Sequence, residues 1–247
     1  MRIDQATSTT IADFWNDVES TVEQCDTLNA AAQELARRLY EQFQESVLLA
    51  RVFVTVPFSS LPAWDQIFVR GLAVSVGAKG EVKPETTVLS LVGTWGQESE
   101  WCNRRHSKGH AGIPLISSNF VAGIPMIARL LKELGISIDC LDKGDKSIVV
   151  ETTGSSVGLF FVEDAAGATD DAGRKIISAQ DFVATHGAKS VFGASAAYAE
   201  GPMIVIVVFC RDMLSRTLAE NFSKLATLFR SGTSSLVKDS DIFAHDE

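Results

Sequence analysis

The chain has 247 residues, 46% of them hydrophobic, and carries a formal net charge of -9, with 31 Asp and Glu against 22 Lys and Arg. This size and composition suit an ordinary globular protein with a substantial core. The acidic balance argues against general nucleic-acid binding, which needs a basic face to displace counterions, and no apolar run is long enough to span a bilayer or form a signal core, so a cytoplasmic location is expected.

Residues 8–44 have helical periodicity in two pieces. Ile11, Phe14, Trp15, Val18 and Val22 form the first stripe, with Ser8, Thr9 and Thr10 as candidate caps. Leu28, Ala32, Leu35, Ala36, Leu39, Tyr40 and Phe43 form the second, and the break falls near Cys25, Asp26 and Thr27. Val47 to Phe58 is a strand with alternation around Arg51 and Thr55, stopped by Pro57. Pro62 opens a helix through Val76. Gly77 to Pro84 is a loop, and Thr87 to Trp95 is the second strand.

Gly96 to Ser118 is irregular, and Asn119 to Leu134 is a helix that Pro125 either begins or kinks. Ile136 to Asp139, Ser147 to Glu151 and Val157 to Val162 are further strand candidates. Gly167 to Ser178 is a polar loop or lid; Asp164, Asp170 and Asp171, near Gly167 and Gly173, fit no calcium-loop register and suit a solvated loop. A short helix with Phe182 and Val183 ends at Gly187, and Ala188 to Ala197 is a strand. A turn at Glu200-Gly201-Pro202 leads into Met203 to Cys210, an unbroken apolar run. Both of its faces must be covered, which makes it a central strand. An amphipathic helix follows, with Leu214, Leu218, Phe222, Leu225, Leu228 and Phe229 as its stripe. The tail after Gly232 is expected to fray.

The stretch from Asp181 to Ser231 resembles the closing half of a GAF domain, the small-ligand and signalling module common in bacterial sensors. That resemblance implies an α+β fold: a GAF/PAS-like antiparallel sheet of five or six strands, N- and C-terminal helices packed on one face, and a pocket on the other. Residues 1–35 are then a helical extension, 36–232 the GAF-like domain and 233–247 a flexible tail. In GAF-containing proteins the terminal helices often make a dimer interface, and both ends of this chain carry the stripe for it, so a homodimer is expected.

The candidate site is Gly93 to Pro125, which gathers Trp95, Trp101, Arg104, Arg105, His106, Lys108 and His110 between a strand and a helix. Its Trp101 to Leu115 portion resembles a segment of bacterial sensory proteins. GAF ligands usually lie between the sheet and the segments joining its middle strands, and this segment falls there. Arg104, Arg105, Lys108 and His110 read as an anion-recognising patch, because a guanidinium fork pairs with carboxylate or phosphate. The plain alternative is local pairing with Glu98 and Glu100. Trp95, Trp101, Arg104, Arg105 and His110 are the candidate ligand-binding residues, with Ile113, Pro114 and Leu115 anchoring the loop to the core.

Two chemical alternatives compete. Cys102, His106 and His110, four apart, would share one helical face able to hold a metal or haem iron, although Ser107, Lys108 and Gly109 interrupt such a helix. Some GAF-fold proteins reduce methionine sulfoxide with thiols, and Cys102 and Cys140 flank the expected pocket. Cys25, Cys102, Cys140 and Cys210 form no CxxC pair and suit reduced, buried thiols. No P-loop, Gly-x-Ser-x-Gly or Gly-x-Gly-x-x-Gly motif occurs. The sequence therefore reads as a non-catalytic ligand-sensing or regulatory module acting through a partner protein, with ligand and cofactor left open.

Overall fold

The computed structural model describes residues 1–78, 80–107, 110–136, 141, 158–199 and 201–244. Its centre is a six-stranded antiparallel sheet: β1 (Val47–Pro57), β2 (Thr87–Gly96), β3 (Gly112–Pro114), β4 (Leu159–Val162), β5 (Ser190–Ala197) and β6 (Met203–Cys210), in the order β3-β2-β1-β6-β5-β4. β1 and β6 are the middle pair, and every residue of β6 is buried, as an apolar strand with no polar face requires. The Asn-rich or glycine turn that shorter hairpins need is supplied between β5 and β6 by Gly201, at φ 103°.

On one face lie α1 (Ser8–Val22) and α2 (Leu28–Gln42), with α7 (Arg216–Asn221), α8 (Lys224–Gly232) and α9 (Ser234–Lys238) beside them. α1 is capped by Thr7, one residue ahead of the expected serine-threonine run, and α2 by Thr27. Phe14, Phe43, Phe222 and Phe192 form a chain of ring contacts at 5.5–5.6 Å that ties both chain ends to the sheet. The C-terminal helix expected to run unbroken from Leu214 is divided at Phe222, whose ring is driven into that chain.

The apolar stripes of the terminal helices thus close on each other and on the sheet within one chain. The apolar surplus from which dimerisation was argued shrinks to an outer edge where Leu228 is 43% exposed beside the half-buried Trp15. Past Gly232 the chain, expected to fray, forms α9 and then hydrogen-bonds onto α2, with the N–H groups of Leu28 and Asn29 donating to the carbonyls of Asp241 and Ile242. Ile242 and Phe243 pack on the core there.

The other face is covered by shorter pieces: α4 (Ser118–Ala122), α5 (Pro125–Glu133) and α6 (Gln180–His186), joined by the loop from β2 to β3. α3 (Ala63–Ser75) lies against β3 at the sheet edge. Pro125 begins a separate helix at its first turn, where its missing N–H has no partner to lose, and Ser117 caps α4. α6 ends on Gly187 in the left-handed conformation, φ 69°. The strand expected from Val157 is seen as Leu159–Val162, whereas residues 137–139 and 147–151, also expected as strands, lie outside the described residues. Among the described residues no helix is long and apolar enough to cross a membrane.

This α+β, GAF-like arrangement is the one the sequence resemblance implied, with six strands and the terminal helices on one face. α2 packs directly on the sheet at Gly93, where a Cβ would overlap the Ala32 carbonyl of α2. Gly93→Ala is expected to push α2 off the sheet and cost about 1–3 kcal/mol, read as a lower urea midpoint with an unchanged slope.

Candidate functional site

The face away from the terminal helices is incompletely filled and holds a cavity of about 270 Å³. Its floor is the sheet. Leu49, Arg51 and Phe53 alternate along β1 and point into it, flanked by Leu89 of β2 and by Val205, Val207 and Phe209 of β6. Ile124, Met126, Ile127 and Leu130 form one wall at α5, and Ile177, Ser178, Ala179 and Phe182 form another at α6. The loop after β2 closes the remainder with Glu100, Trp101, His106, Ser107 and His110.

That loop is held from outside the cavity. Gln33 of α2 donates through Nε2 to the carbonyls of Thr94 and Cys102, at 2.8 and 3.1 Å, and accepts from the Thr94 N–H at 3.1 Å. The Thr94 hydroxyl donates to the Trp101 carbonyl at 3.0 Å. Arg104, buried, places Nη1 at 2.8 and 2.9 Å from the two carboxylate oxygens of Asp65, which is fully buried in the first turn of α3. Arg104 also lies 5.5 Å over the Phe243 ring.

With its backbone fixed, Trp101 meets Phe182 edge-on at 5.4 Å and His186 at 4.7 Å, and Phe182 meets Phe209 at 5.4 Å. Gly96 leaves room for this, since a Cβ there would lie 2.8 Å from the Trp101 ring. His186 Nδ1 is 3.7 Å from Glu98.

The five residues singled out from sequence therefore separate. Trp101 and His110 line the cavity. Arg104 orders the loop through a buried ion pair with Asp65. Arg105 is exposed and outside the cavity lining, with its backbone N–H donating to the Asn103 side chain at 2.9 Å. Trp95 lies on the opposite face, against the terminal-helix core, because a register shift opposite Val52 and Phe53 turns the rest of β2 over. Lys108 lies outside the described residues.

Cys102 and His106 sit on separate 3-10 turns, Ser99–Cys102 and Arg104–His106, broken at Asn103, so the continuous helical face considered for a metal or haem does not form. No cluster of three or more His, Cys, Asp or Glu able to hold a metal is found among the described residues. The Cys102 thiol faces the carbonyls of Gly96 and Glu98, both at 3.6 Å, and none of Cys25, Cys102 and Cys210 lines the cavity. Cys140 lies outside the described residues. Asp164 and Asp170 spend their carboxylates on local backbone N–H groups, and Asp170 also pairs with Arg174.

Arg51 is the residue that sequence reasoning passed over. It stands at the middle of the floor, opposite Thr94 on one side and Val207 on the other. Its Nε is buried with no hydrogen-bond partner, and burial pushes the guanidinium down to about 10. The Ser107 hydroxyl, also on the lining, is buried and unpartnered as well. A cation inside an otherwise apolar strand, with no acid in its own strand, was the available signal.

No protein-family model and no curated protein matches the chain. Among solved structures it is similar to a free methionine-R-sulfoxide reductase from Neisseria meningitidis in complex with its substrate, at 11% identity and TM-score 0.48, covering 95% of this chain and 96% of that one. It is similar to the GAF domain of an Acinetobacter phosphoenolpyruvate-protein phosphotransferase, at 11% identity and TM-score 0.48, covering 96% and 100%. A bacteriophytochrome from R. palustris is similar at 7% identity and TM-score 0.46, and there the match spans 96% of this chain and 40% of the other. Likeness at this level says nothing about ligand or chemistry.

The half-buried Arg51 and the buried Arg104 should respond oppositely to loss of charge in their surroundings. Arg51→Met removes an uncompensated cation and is expected to stabilise by about 1–2 kcal/mol, discounted for solvent in the cavity, whereas Asp65→Ala strips Arg104 of its carboxylate and should cost about 3–5 kcal/mol. The sign for Arg51 follows from linkage. Its folded value lies below the unfolded one, so its penalty is full below about pH 10 and is relieved as pH rises above that. Urea unfolding at pH 7 reads both; a destabilised Arg51→Met would show that the guanidinium is compensated.

Proposed function

We propose that this chain is a non-catalytic, cytoplasmic small-ligand-sensing module whose ligand occupies the cavity above β1 and β6. The observation that supports this reading is the cavity itself: apolar walls, two unpartnered polar groups on the lining, and a loop fixed in place by Gln33, Thr94 and Arg104. Trp101 and His110 are the proposed ligand contacts, and Arg104 is a positioning residue. Gln33 joins that loop directly to α2, so a ligand that moves Trp101 would pull on the terminal-helix layer, which is the proposed output surface to a partner protein.

A filled cavity tests the reading. Small molecules released on denaturing the purified protein are identified by mass spectrometry and compared with those from Val207→Trp, whose indole should occupy the ligand space. A compound present in wild type and absent from the folded variant is expected; equal recovery from both places any ligand elsewhere. A homodimer through the terminal helices is part of the proposal and rests on the Trp15 and Leu228 edge. Light scattering at micromolar concentration should give twice the chain mass, and a monomer removes that element alone.

A further inference from the structure

Resting on the reading of the cavity as a ligand site, we infer that its ligand is a monocarboxylic acid with an apolar body, the carboxylate held by Arg51 and Ser107. Three observations carry this. The first is that Arg51 sits on the cavity floor with no ion-pair or hydrogen-bond partner among the described residues, in surroundings otherwise made by Leu49, Phe53, Val205 and Val207. A guanidinium withdrawn from water into apolar surroundings is costly until an anion joins it, and a carboxylate matches its fork.

The second is that the Ser107 hydroxyl, buried and unpartnered on the same lining, offers a donor to a carboxylate oxygen. The third concerns charge number. Arg51 is the one lysine or arginine among the described lining residues, so a single carboxylate matches the fixed positive charge that the lining offers. A neutral ligand would fill the apolar space but leave the half-buried Arg51 unpaired. The small volume and the ring edges of Trp101 and Phe182 suit a short aliphatic or single-ring body.

Isothermal titration of the full chain with phenylacetate and hexanoate, against their amides phenylacetamide and hexanamide, tests this. Both acids should bind at least tenfold more tightly than the amides. Arg51→Gln should remove that preference while leaving amide affinity within about twofold, and Arg51→Met, expected to fold more stably than wild type, should do the same. Ser107→Ala should weaken the acids severalfold. Amides binding as well as acids, acid preference surviving in both Arg51 variants, or no acid binding at millimolar concentration each overturns the inference. Acid and amide binding unchanged in folded Val207→Trp would instead overturn the cavity reading beneath it.

Discussion

A strand pair with no face to give to water sets the terms for the rest of this protein. β6 is apolar on both sides and β1 is interrupted only by Arg51 and Thr55, so burying the pair stabilises the fold only if each side of the sheet is covered. The two coverings differ in kind. The terminal helices bring long stripes and aromatic rings that interlock into a continuous core, so that face is closed. The opposite face is covered by a loop and helices of five to nine residues, which cannot fill it, and the shortfall is the cavity.

Into that shortfall β1 places a guanidinium. Every other polar side chain on the two central strands has its hydrogen bond: Thr55, the second polar residue of β1, accepts from the Met203 N–H at 2.8 Å. Arg104, the buried arginine near the loop, has Asp65. Arg51 has no such partner among the described residues, and an unpaired guanidinium on a cavity floor is what a site prepared for an anion would contain. The loop that closes over it is tied to α2 by Gln33, which makes the site and the terminal helices parts of one connected structure.

The sheet was legible in the sequence because its signals are local. Continuous β-branched runs marked β1, β2 and β6, and Gly187 and the Gly201-Pro202 turn bounded the elements near the C-terminal end. What depended on pairing between distant segments was not legible. Trp95 looked like a partner of Trp101, but a single bulge reverses the face of everything after it on β2. Arg104 looked like a ligand cation, and its true partner lies 39 residues earlier in the chain. The alternation around Arg51 suggested an outward-facing polar side, since nothing in the strand shows that its second face is also covered. Ile242 and Phe243 were the apolar hint that the C-terminal segment returns to the core.

The claim that a ligand anion completes Arg51 is most directly tested by NMR of its own Nε–Hε group in 15N-labelled protein, assigned by its loss in Arg51→Met and followed as phenylacetate is added. A carboxylate on the guanidinium predicts a saturable shift of that resonance and slower exchange with water, in step with the Trp101 indole signal and absent with phenylacetamide. A Trp101 signal that titrates while the Arg51 resonance stays in place would show a ligand in the cavity that does not use this cation, and would contradict the account.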